Sequence, residues 1–482
     1  MPVTSTELGG ADRLYPRATI DVLPGNVLLG TFESYLSKDD ADEFDHGHNY
    51  DGWQTLVHVC HRWRCIVFAS PRRLGLKLYC SPRRLVDSKM LDVWPALPIV
   101  IFAGGVESKE DVTNVIAALR HHSRVCKIYS HNWRFQDPLL KEFAAVDEPF
   151  LALTSLELSS PRQQNVPVVP DSFLGGCAPD LRSLLLDGIS YPSIGKLLSS
   201  TTNLVQLSLL HIPRSGYIPP EMIVPCLSML PRLRSLELGF QYPRSRAHRA
   251  SRRPPPLTRV VFPNLTSLFF RGDSEYLEDI LSQIETPILN KCKIWLFNQL
   301  IFDTPLLGRF VRCTETFRKT SRARIIFFCP NVVVTLSGLE ETADSDRNAL
   351  WLQVSCGPLD WQLSALVQVL SSFLSLLQTL ESLEILVSRS DWQGETEVIQ
   401  WREILRPFTS VKTMTIIRED SVRLVAPALQ EFAVGRATEV LPALQNIFLM
   451  VGGWQPSGSV KEAFDQFIAL RQLSDHPVTV HY

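Results

Sequence analysis

Leu153-Thr-Ser-Leu156-Glu-Leu158 is one copy of a six-residue pattern in which two residues, and then one, separate three apolar positions. The same pattern begins again at Leu181, Leu204, Leu233 and Leu265, at intervals of 28, 23, 29 and 32 residues. Apolar residues that alternate over a short stretch are typical of a half-buried strand. A doubly wound α/β fold also alternates strands with helices, but it would not reuse one phrase. The recurrence therefore predicts a repeated structural unit.

The repeat continues toward the C-terminus in looser copies that begin at Leu289, Leu380, Val411 and Leu444. Between the strand candidates, apolar residues have helical spacing over residues 193–200, 221–230, 275–284 and 363–377. A strand, a turn and a helix in each unit, at intervals near the about 20 to 29 residues of a leucine-rich repeat, indicate that architecture. We therefore predict an α/β fold in which an irregular leucine-rich-repeat solenoid, with parallel strands and helices, occupies residues 76–482.

Three segments depart from the regular unit. Residues 92–150 contain strand-like runs at 98–102 and 124–128 around a helical stretch, which predicts degenerate capping units. Residues 243–256 combine a basic run with three prolines and are predicted to be a loop inserted between repeats. Because this run has no aromatic residues on which bases could stack, nucleic acid is the disfavoured partner. Residues 322–338 contain two β-rich runs, which predict a hairpin that interrupts the array.

A separate apolar constellation lies near the N-terminus, after residues 1–18, which we predict to be a flexible leader. Its members are Leu23, Pro24, Val27, Leu28, Phe32, Leu36, Leu56, Val57, Cys60, Trp63 and Val67. Their helical spacing, divided by an acidic insertion at 37–52, predicts a small all-α module of two or three short helices over residues 19–75. A module this short buries only part of its apolar surface, so we expect some of these residues to remain exposed as a docking face.

The Leu23-Pro24 start of this constellation and its Val59-Cys60-His61-Arg62-Trp63-Arg64 end resemble the F-box motif. The resemblance implies that all eleven residues bind the Skp-type adaptor of an SCF cullin-RING ubiquitin ligase, and reach a cullin through it. The insertion at 37–52 departs from the short link that is usual in this motif. The alternative is an ordinary helical hairpin that packs on its own chain.

Leucine-rich repeats after an F-box resemble the F-box/leucine-rich-repeat proteins, whose repeats select a target protein for ubiquitylation. Phrases such as Asp360-Trp-Gln-Leu363 are similar to those of the large F-box-domain family of basidiomycete (mushroom-forming) fungi. This resemblance spans nearly the whole chain, and it bears on the architecture more than on the target.

The composition indicates a globular protein with a sizeable core, since 45% of the 482 residues are hydrophobic and 20% are charged. A formal net charge of −2 provides no global field toward nucleic acid or a membrane surface. The ten cysteines include no Cys-x-x-Cys pair, and no apolar run approaches the about 20 residues of a membrane helix. We therefore expect a cytoplasmic or nuclear protein without disulfides.

Sequence motifs of catalysis are missing, since the chain has no glycine-rich nucleotide loop and no Gly-x-Ser-x-Gly elbow. His58, Cys60, His61 and Cys65 superficially offer metal ligands, but no second ligand pair follows, so we predict that they pack in the interior. The acidic cluster at 273–279 begins a predicted helix, which indicates helix capping rather than catalysis. We expect a protein that is not an enzyme and holds no cofactor or metal.

These features favour the substrate-recognition subunit of an SCF-type ligase, which binds the adaptor through the helical module and an unidentified protein through the repeats. A second hypothesis is a non-catalytic repeat scaffold for protein–protein interaction, in which the N-terminal helices only cap the array. A third is an enzyme whose motif is not evident in the sequence; it would require a pocket of convergent polar groups.

Overall fold

The structure is a computed structural model of the chain. It describes residues 20–36, 52–81, 96–103, 109–130, 145, 148–160, 166–243, 259–328, 330–338, 349–356, 359–388, 398–436, 439–452 and 456–481. The predicted leader at 1–18, the acidic insertion except for Gly52, and the basic loop except for Pro243 lie outside these residues.

Three short helices form the N-terminal module, in the positions where the apolar spacing predicts helices. A single 3₁₀ turn at Ile20–Val22 precedes α1 (Gly25–Leu36), α2 (Gly52–Val59) and α3 (His61–Ala69). Pro24 lies directly before α1, where a missing N–H costs the helix no hydrogen bond.

The rest of the described chain is built from strands and helices in alternation. The strands are β1 (Leu78–Cys80), β2 (Ile99–Phe102), β3 (Val125–Ser130), β4 (Ser155–Ser159), β5 (Ser183–Asp187), β6 (Gln206–Ile212), β7 (Ser235–Phe240), β8 (Val260–Val261), β9 (Ser267–Gly272), β10 (Ile284–Glu285), β11 (Lys291–Leu296), β12 (Arg322–Phe328), β13 (Asn331–Ser337), β14 (Leu350–Ser355), β15 (Ser382–Val387), β16 (Thr413–Ile417), β17 (Asn446–Met450) and β18 (Thr479–His481). Each of the nine copies of the six-residue pattern contains a strand that begins two residues after its first apolar position, which confirms that prediction.

Sixteen of these strands form one sheet, in the order β1-β2-β3-β4-β5-β6-β7-β9-β11-β14-β13-β12-β15-β16-β17-β18. Neighbouring strands are parallel except around β13. β8 and β10 pair separately as a short two-stranded sheet. Parallel neighbours that follow in sequence order are typical of a solenoid, in which each unit stacks on the previous one.

The strand register aligns equivalent leucines of successive repeats. Leu156 pairs with Leu184, Leu184 with Leu207 and Leu207 with Leu236, and all four are buried. Alternate side chains of a strand point to the same face, so the last apolar residue of each pattern joins the same core. A fully buried leucine contributes about 1.5–3 kcal/mol, and the stacked rows make this core continuous along the array.

Helices pack side by side over the leucine face. They are α4 (Lys109–Leu119), α5 (Ile194–Ser200), α6 (Pro220–Ser228), α7 (Ser274–Gln283), α8 (Pro305–Cys313), α9 (Glu315–Arg318), α10 (Leu359–Ser371), α11 (Leu374–Leu377), α12 (Val398–Leu405), α13 (Glu419–Arg436) and α14 (Ser459–Leu473). Contacts run in series, from α5 through α6 and α7 to α8 and from α12 through α13 to α14. The four predicted helical stretches are confirmed, and the last is divided into α10 and α11.

The β-rich zone differs from the predicted interrupting hairpin. β12 and β13 are antiparallel as predicted, but β14 adds a third strand, antiparallel to β13. β14 is parallel to β11 and β12 is parallel to β15, so this meander joins the two parallel halves of the sheet rather than interrupting them. The sequence pattern missed β14 because the stretch 350–355 does not repeat the leucine phrase.

The predicted capping units at 92–150 are described in part. β2, α4 and β3 lie at the expected positions, and their strands extend the main sheet toward β1. Within the described ranges, no helix has the length and apolar character needed to cross a membrane.

Candidate docking surfaces

The N-terminal module packs around aromatic side chains. The ring centroids of Phe32 and Trp63 lie 4.7 Å apart, and those of Trp53 and Phe68 lie 6.1 Å apart. The Trp53 indole Nε1 donates a hydrogen bond to the carbonyl of Lys77, at 3.0 Å, directly before β1. The interior of the module is therefore continuous with the core of the sheet.

Five of the eleven predicted adaptor-binding residues belong to that interior. Leu28, Phe32, Leu56, Val57 and Val67 are each no more than 6% exposed. They lie on the helix faces that α1, α2 and α3 turn toward one another, as helical spacing requires of a core stripe. In this conformation they support the module and are not accessible at its surface.

The remaining six are at least partly accessible. Leu23 and Val27 are 40% and 46% exposed, and Pro24 between them is exposed as well. The Arg62 guanidinium donates a hydrogen bond to the Leu23 carbonyl, which holds the segment before α1 against α3. Half-buried positions are occupied by Leu36, Cys60 and Trp63.

Further exposed apolar side chains lie just before Leu23 and at the end of α2. Ile20 and Val22 are 50% and 74% exposed, and Val59 at the end of α2 is 55% exposed. Sequence reasoning missed them as surface residues because they do not belong to the helical stripe. For Ile20 and Val22, the available signal was their position ahead of Pro24, outside the predicted helix.

The histidines and cysteines of α2 and α3 do not lie in the interior. His58, His61 and Cys65 are exposed and Cys60 is half-buried, so the predicted interior packing is wrong. The apolar face of α3 takes the interior position and leaves His61 and Cys65 on the outer face. In the part of the chain that the structure describes, no three His, Cys, Asp or Glu side chains are grouped to hold a metal ion.

The sheet presents a second surface on the side opposite the leucines. One side chain from each strand of the sheet except β1 lines up across it, in a row that comprises Phe102, Tyr129, Glu157, Leu185, Ser208, Glu237, Phe269, Lys293, Trp351, Thr335, Arg324, Glu384, Thr415, Phe448 and His481. All of these residues except Thr335 are half-buried or exposed. Extended surfaces of this kind are what solenoids use to bind partners.

A chain of polar contacts crosses this face between β5 and β9. His211 Nδ1 lies 2.5 Å from the Asp187 carboxylate, and Arg271 Nη1 lies 2.8 Å from His211 Nε2. Since arginine can only donate, Nε2 accepts, and the imidazole therefore carries its proton on Nδ1 and donates it to Asp187. His211 has a φ of 45° at an irregularity in the register of β6, a conformation that non-glycine residues rarely adopt.

Gly239 and Trp295 pair with Arg271 in the register, from the two strands that flank β9. Gly239 lies on β7, between β6 and β9, so the contact of His211 with Arg271 joins strands that are not neighbours. The Arg271 guanidinium also lies 4.4 Å from the ring centroid of Trp295, whose Nε1 donates to Ser355 Oγ at 2.7 Å.

A groove of about 630 Å³ lies on this face, across β6, β7, β9, β11 and β14. Its lining includes three cationic side chains, those of Arg271, Lys291 and Lys293, and one carboxylate, that of Glu237. The groove thus brings charged and aromatic side chains of five strands together.

One carboxylate of the acidic cluster at 273–279, that of Glu278, serves the fold. Both oxygens of the buried Glu278 carboxylate accept hydrogen bonds from backbone N–H groups of α8, those of Leu306 and Leu307, each at 2.8 Å. Glu278 thus caps the next helix along the array rather than its own, which only the tertiary structure reveals. Burial raises the pKa of Glu278, against the lowering effect of these two hydrogen bonds.

Two buried thiols are poor candidates for nucleophiles. Burial raises the pKa of Cys80 and of Cys292 to about 12, although Arg124 lowers that of Cys80 slightly. The thiolate is the reactive form of cysteine, and at neutral pH these two residues hold almost none of it. Both act as small apolar side chains of the core.

Comparison with known proteins adds little to this description. No protein-family model matches the chain, and no curated protein does. Among solved structures, the chain is similar to the leucine-rich repeat-containing protein LegL7 from Legionella pneumophila, with 16% identity and a TM-score of 0.30, over 71% of this chain and 96% of that one. A TM-score this low does not establish the fold. The strand order and register themselves, with one large and mostly parallel sheet, are consistent with a leucine-rich-repeat solenoid.

Proposed function

We propose that this protein is a non-catalytic interaction scaffold that serves as the substrate-recognition subunit of an SCF-type cullin-RING ubiquitin ligase. In this role the N-terminal module binds a Skp-type adaptor, and through it a cullin. The accessible face of the sheet, on the side opposite the leucines, binds a target protein. Holding both partners raises the effective concentration of target lysines near a separately recruited ubiquitin-conjugating enzyme.

The accessible face of the sheet supports the scaffold role most directly. A row of side chains from successive strands remains accessible across the array, and it mixes aromatic, charged and small polar residues. Mixed surfaces with aromatic and arginine side chains are typical of protein–protein interfaces. A catalytic role receives no comparable support, because the buried carboxylate and thiols described above belong to the framework of the fold.

The adaptor role is supported by the start of the helical module. Leu23 lies just before α1 and Val27 lies in its first turn; both are apolar and accessible, and the exposed Val22 precedes them. Together with the F-box-like order of residues, this surface offers an apolar contact that an adaptor could cover.

Adaptor binding is tested with the double variant Leu23→Asp/Val27→Asp. Both side chains are partly exposed, so the substitutions disturb the surface without opening the core. Burying them in an interface is worth about 2 kcal/mol together, so Kd for a purified Skp-type adaptor should rise about 30-fold in biolayer interferometry.

The matched control is Met222→Asp/Met229→Asp, which makes the same kind of change at two exposed side chains in and directly after α6. We expect the control to bind the adaptor like the wild type. If the wild type itself fails to bind, the ligase role is refuted and the plain repeat scaffold, with its helices as a cap, is the better interpretation. If both double variants lose binding equally, the Leu23 surface is not the docking site.

A further inference from the structure

The groove on the accessible face of the sheet has an excess of positive charge. Lys291 and Lys293 lie on the same face of β11, about 7 Å apart, and both are exposed. In the described structure neither lysine forms an ion pair with a carboxylate. Arg271 on the neighbouring strand adds a third cation. The lining therefore carries three positive charges and one negative charge, that of Glu237. These cations repel one another, and a bound anion would relieve that repulsion.

Aromatic side chains frame the same charges. Lys293 pairs with Phe269 on one side and with Trp351 on the other, and its Nζ lies 5.4 Å from the Trp351 ring centroid. The groove therefore offers aromatic surface beside Lys293, and also beside Arg271, whose guanidinium lies over Trp295.

The Arg271 side chain is held in place before any ligand arrives. His211 accepts one of its N–H groups, Asp187 fixes the His211 tautomer, and Trp295 lies beneath the guanidinium. A cation that is already oriented loses less side-chain entropy when it binds a carboxylate. The strained backbone of His211 is consistent with a local arrangement that serves binding.

We propose that this groove binds an acidic peptide segment of a partner protein. Carboxylates of the segment pair with Lys291, Lys293 and Arg271, and its apolar side chains lie on Phe269 and Trp351. The five strands span four inter-strand spacings, about 19 Å, which equals about six residues of extended peptide. This inference rests on the proposed scaffold function and specifies the chemistry of its target.

A single-stranded nucleic acid also combines negative charge with stacking groups, but the groove favours a peptide. Glu237 lies in the same row as Phe269 and Lys293, and Asp187 lies at the end of the polar chain. A phosphate at every nucleotide would meet these carboxylates, whereas a peptide can place neutral residues opposite them.

The test uses the full chain without an adaptor and a fluorescein-labelled peptide of about eight residues in which glutamate and phenylalanine alternate. Fluorescence anisotropy should show saturable binding that weakens as ionic strength rises from about 0.05 M to about 0.5 M. The variant Lys291→Glu/Lys293→Glu should raise Kd about tenfold or more, since it replaces attraction by repulsion.

The matched control is Lys196→Glu/Lys461→Glu, which makes the same charge change at exposed lysines on α5 and α14, away from the groove. This control should stay within about twofold of the wild type. Equal binding of a peptide with lysine in place of glutamate, an equal loss in the control variant, or tighter binding of a single-stranded oligonucleotide would overturn the proposal. Since no adaptor is present, failure here leaves the result of the adaptor experiment unaffected.

Discussion

Glu278 links two consecutive helices of the array, and its replacement by alanine tests that link. The side chain projects from α7, and its two carboxylate oxygens accept the N–H groups of Leu306 and Leu307 in the first turn of α8. The first N–H groups of a helix have no partner within the helix, so this carboxylate supplies what the local sequence does not. We expect Glu278→Ala to loosen the start of α8.

The magnitude follows from the two hydrogen bonds and the burial of the site. A hydrogen bond to a charged group contributes about 1.5–3 kcal/mol, and the two N–H groups would be left unsatisfied. Relief of the desolvated carboxylate, whose burial raises the pKa of Glu278, offsets part of this loss. The expected decrease in the free energy of unfolding is about 3 kcal/mol.

Urea unfolding followed by circular dichroism measures the global effect, and hydrogen exchange measures the local one. Repeat arrays unfold segment by segment, so the amides of Leu306 and Leu307 should lose protection more than those of β4 or β5. The control is Glu403→Ala, at an exposed position within α12, which should change stability by less than about 0.5 kcal/mol. Equal stabilities of the two variants, or unchanged protection at Leu307, would refute the capping role.

The raised pKa of Glu278 indicates how the stability of the protein should change with pH. Its pKa in the folded state is raised above the ordinary value of 4.5, mainly by burial. Ionisation of Glu278 is therefore less favourable in the folded state, so the protein is most stable below that ordinary value and loses part of this stability as pH rises through the folded-state pKa. The stability of the wild type relative to Glu278→Gln should fall between pH 4.5 and pH 7. A rise over this interval would show that the hydrogen bonds outweigh burial.

Two further predictions concern close packing and thiol reactivity. A Cβ at Gly308 would lie 2.0 Å from the Ser372 carbonyl oxygen, so Gly308→Ala should lower the free energy of unfolding by about 1–3 kcal/mol. A Cβ at Gly30 would have no atom within 4 Å, so Gly30→Ala should stabilise α1 by about 0.5–1 kcal/mol. Thermal unfolding of both variants measures this difference, and shifts of the same sign would contradict it. Burial raises the pKa of Cys292 to about 12, so iodoacetamide at about pH 8 should modify the exposed Cys65 and Cys313 before Cys292. Early alkylation of Cys292 in the native protein would count against this assignment.

The predicted docking face shows where sequence reasoning reaches its limit. Helical spacing groups Val27, Leu28 and Phe32 into one stripe, but it does not say which edge of the stripe faces the interior. In the structure Leu28 and Phe32 pack within the module while Val27 remains accessible. The difference depends on how α1 is rotated against α2 and α3, and that rotation is a result of packing.

The primary sequence alone determined the unit of this architecture, because alternation along a strand and the hydrophobic effect act over a few residues. A phrase such as Leu233-Arg-Ser-Leu236-Glu-Leu238 therefore predicts its own strand and its own buried side chains. Only the tertiary structure decided the neighbours of β14, the partner of Glu278 and the meeting of His211 with Arg271. These contacts join residues that are about 30 to 60 positions apart in the chain, and their formation depends on the free energy of the whole stacked array, which no local pattern records.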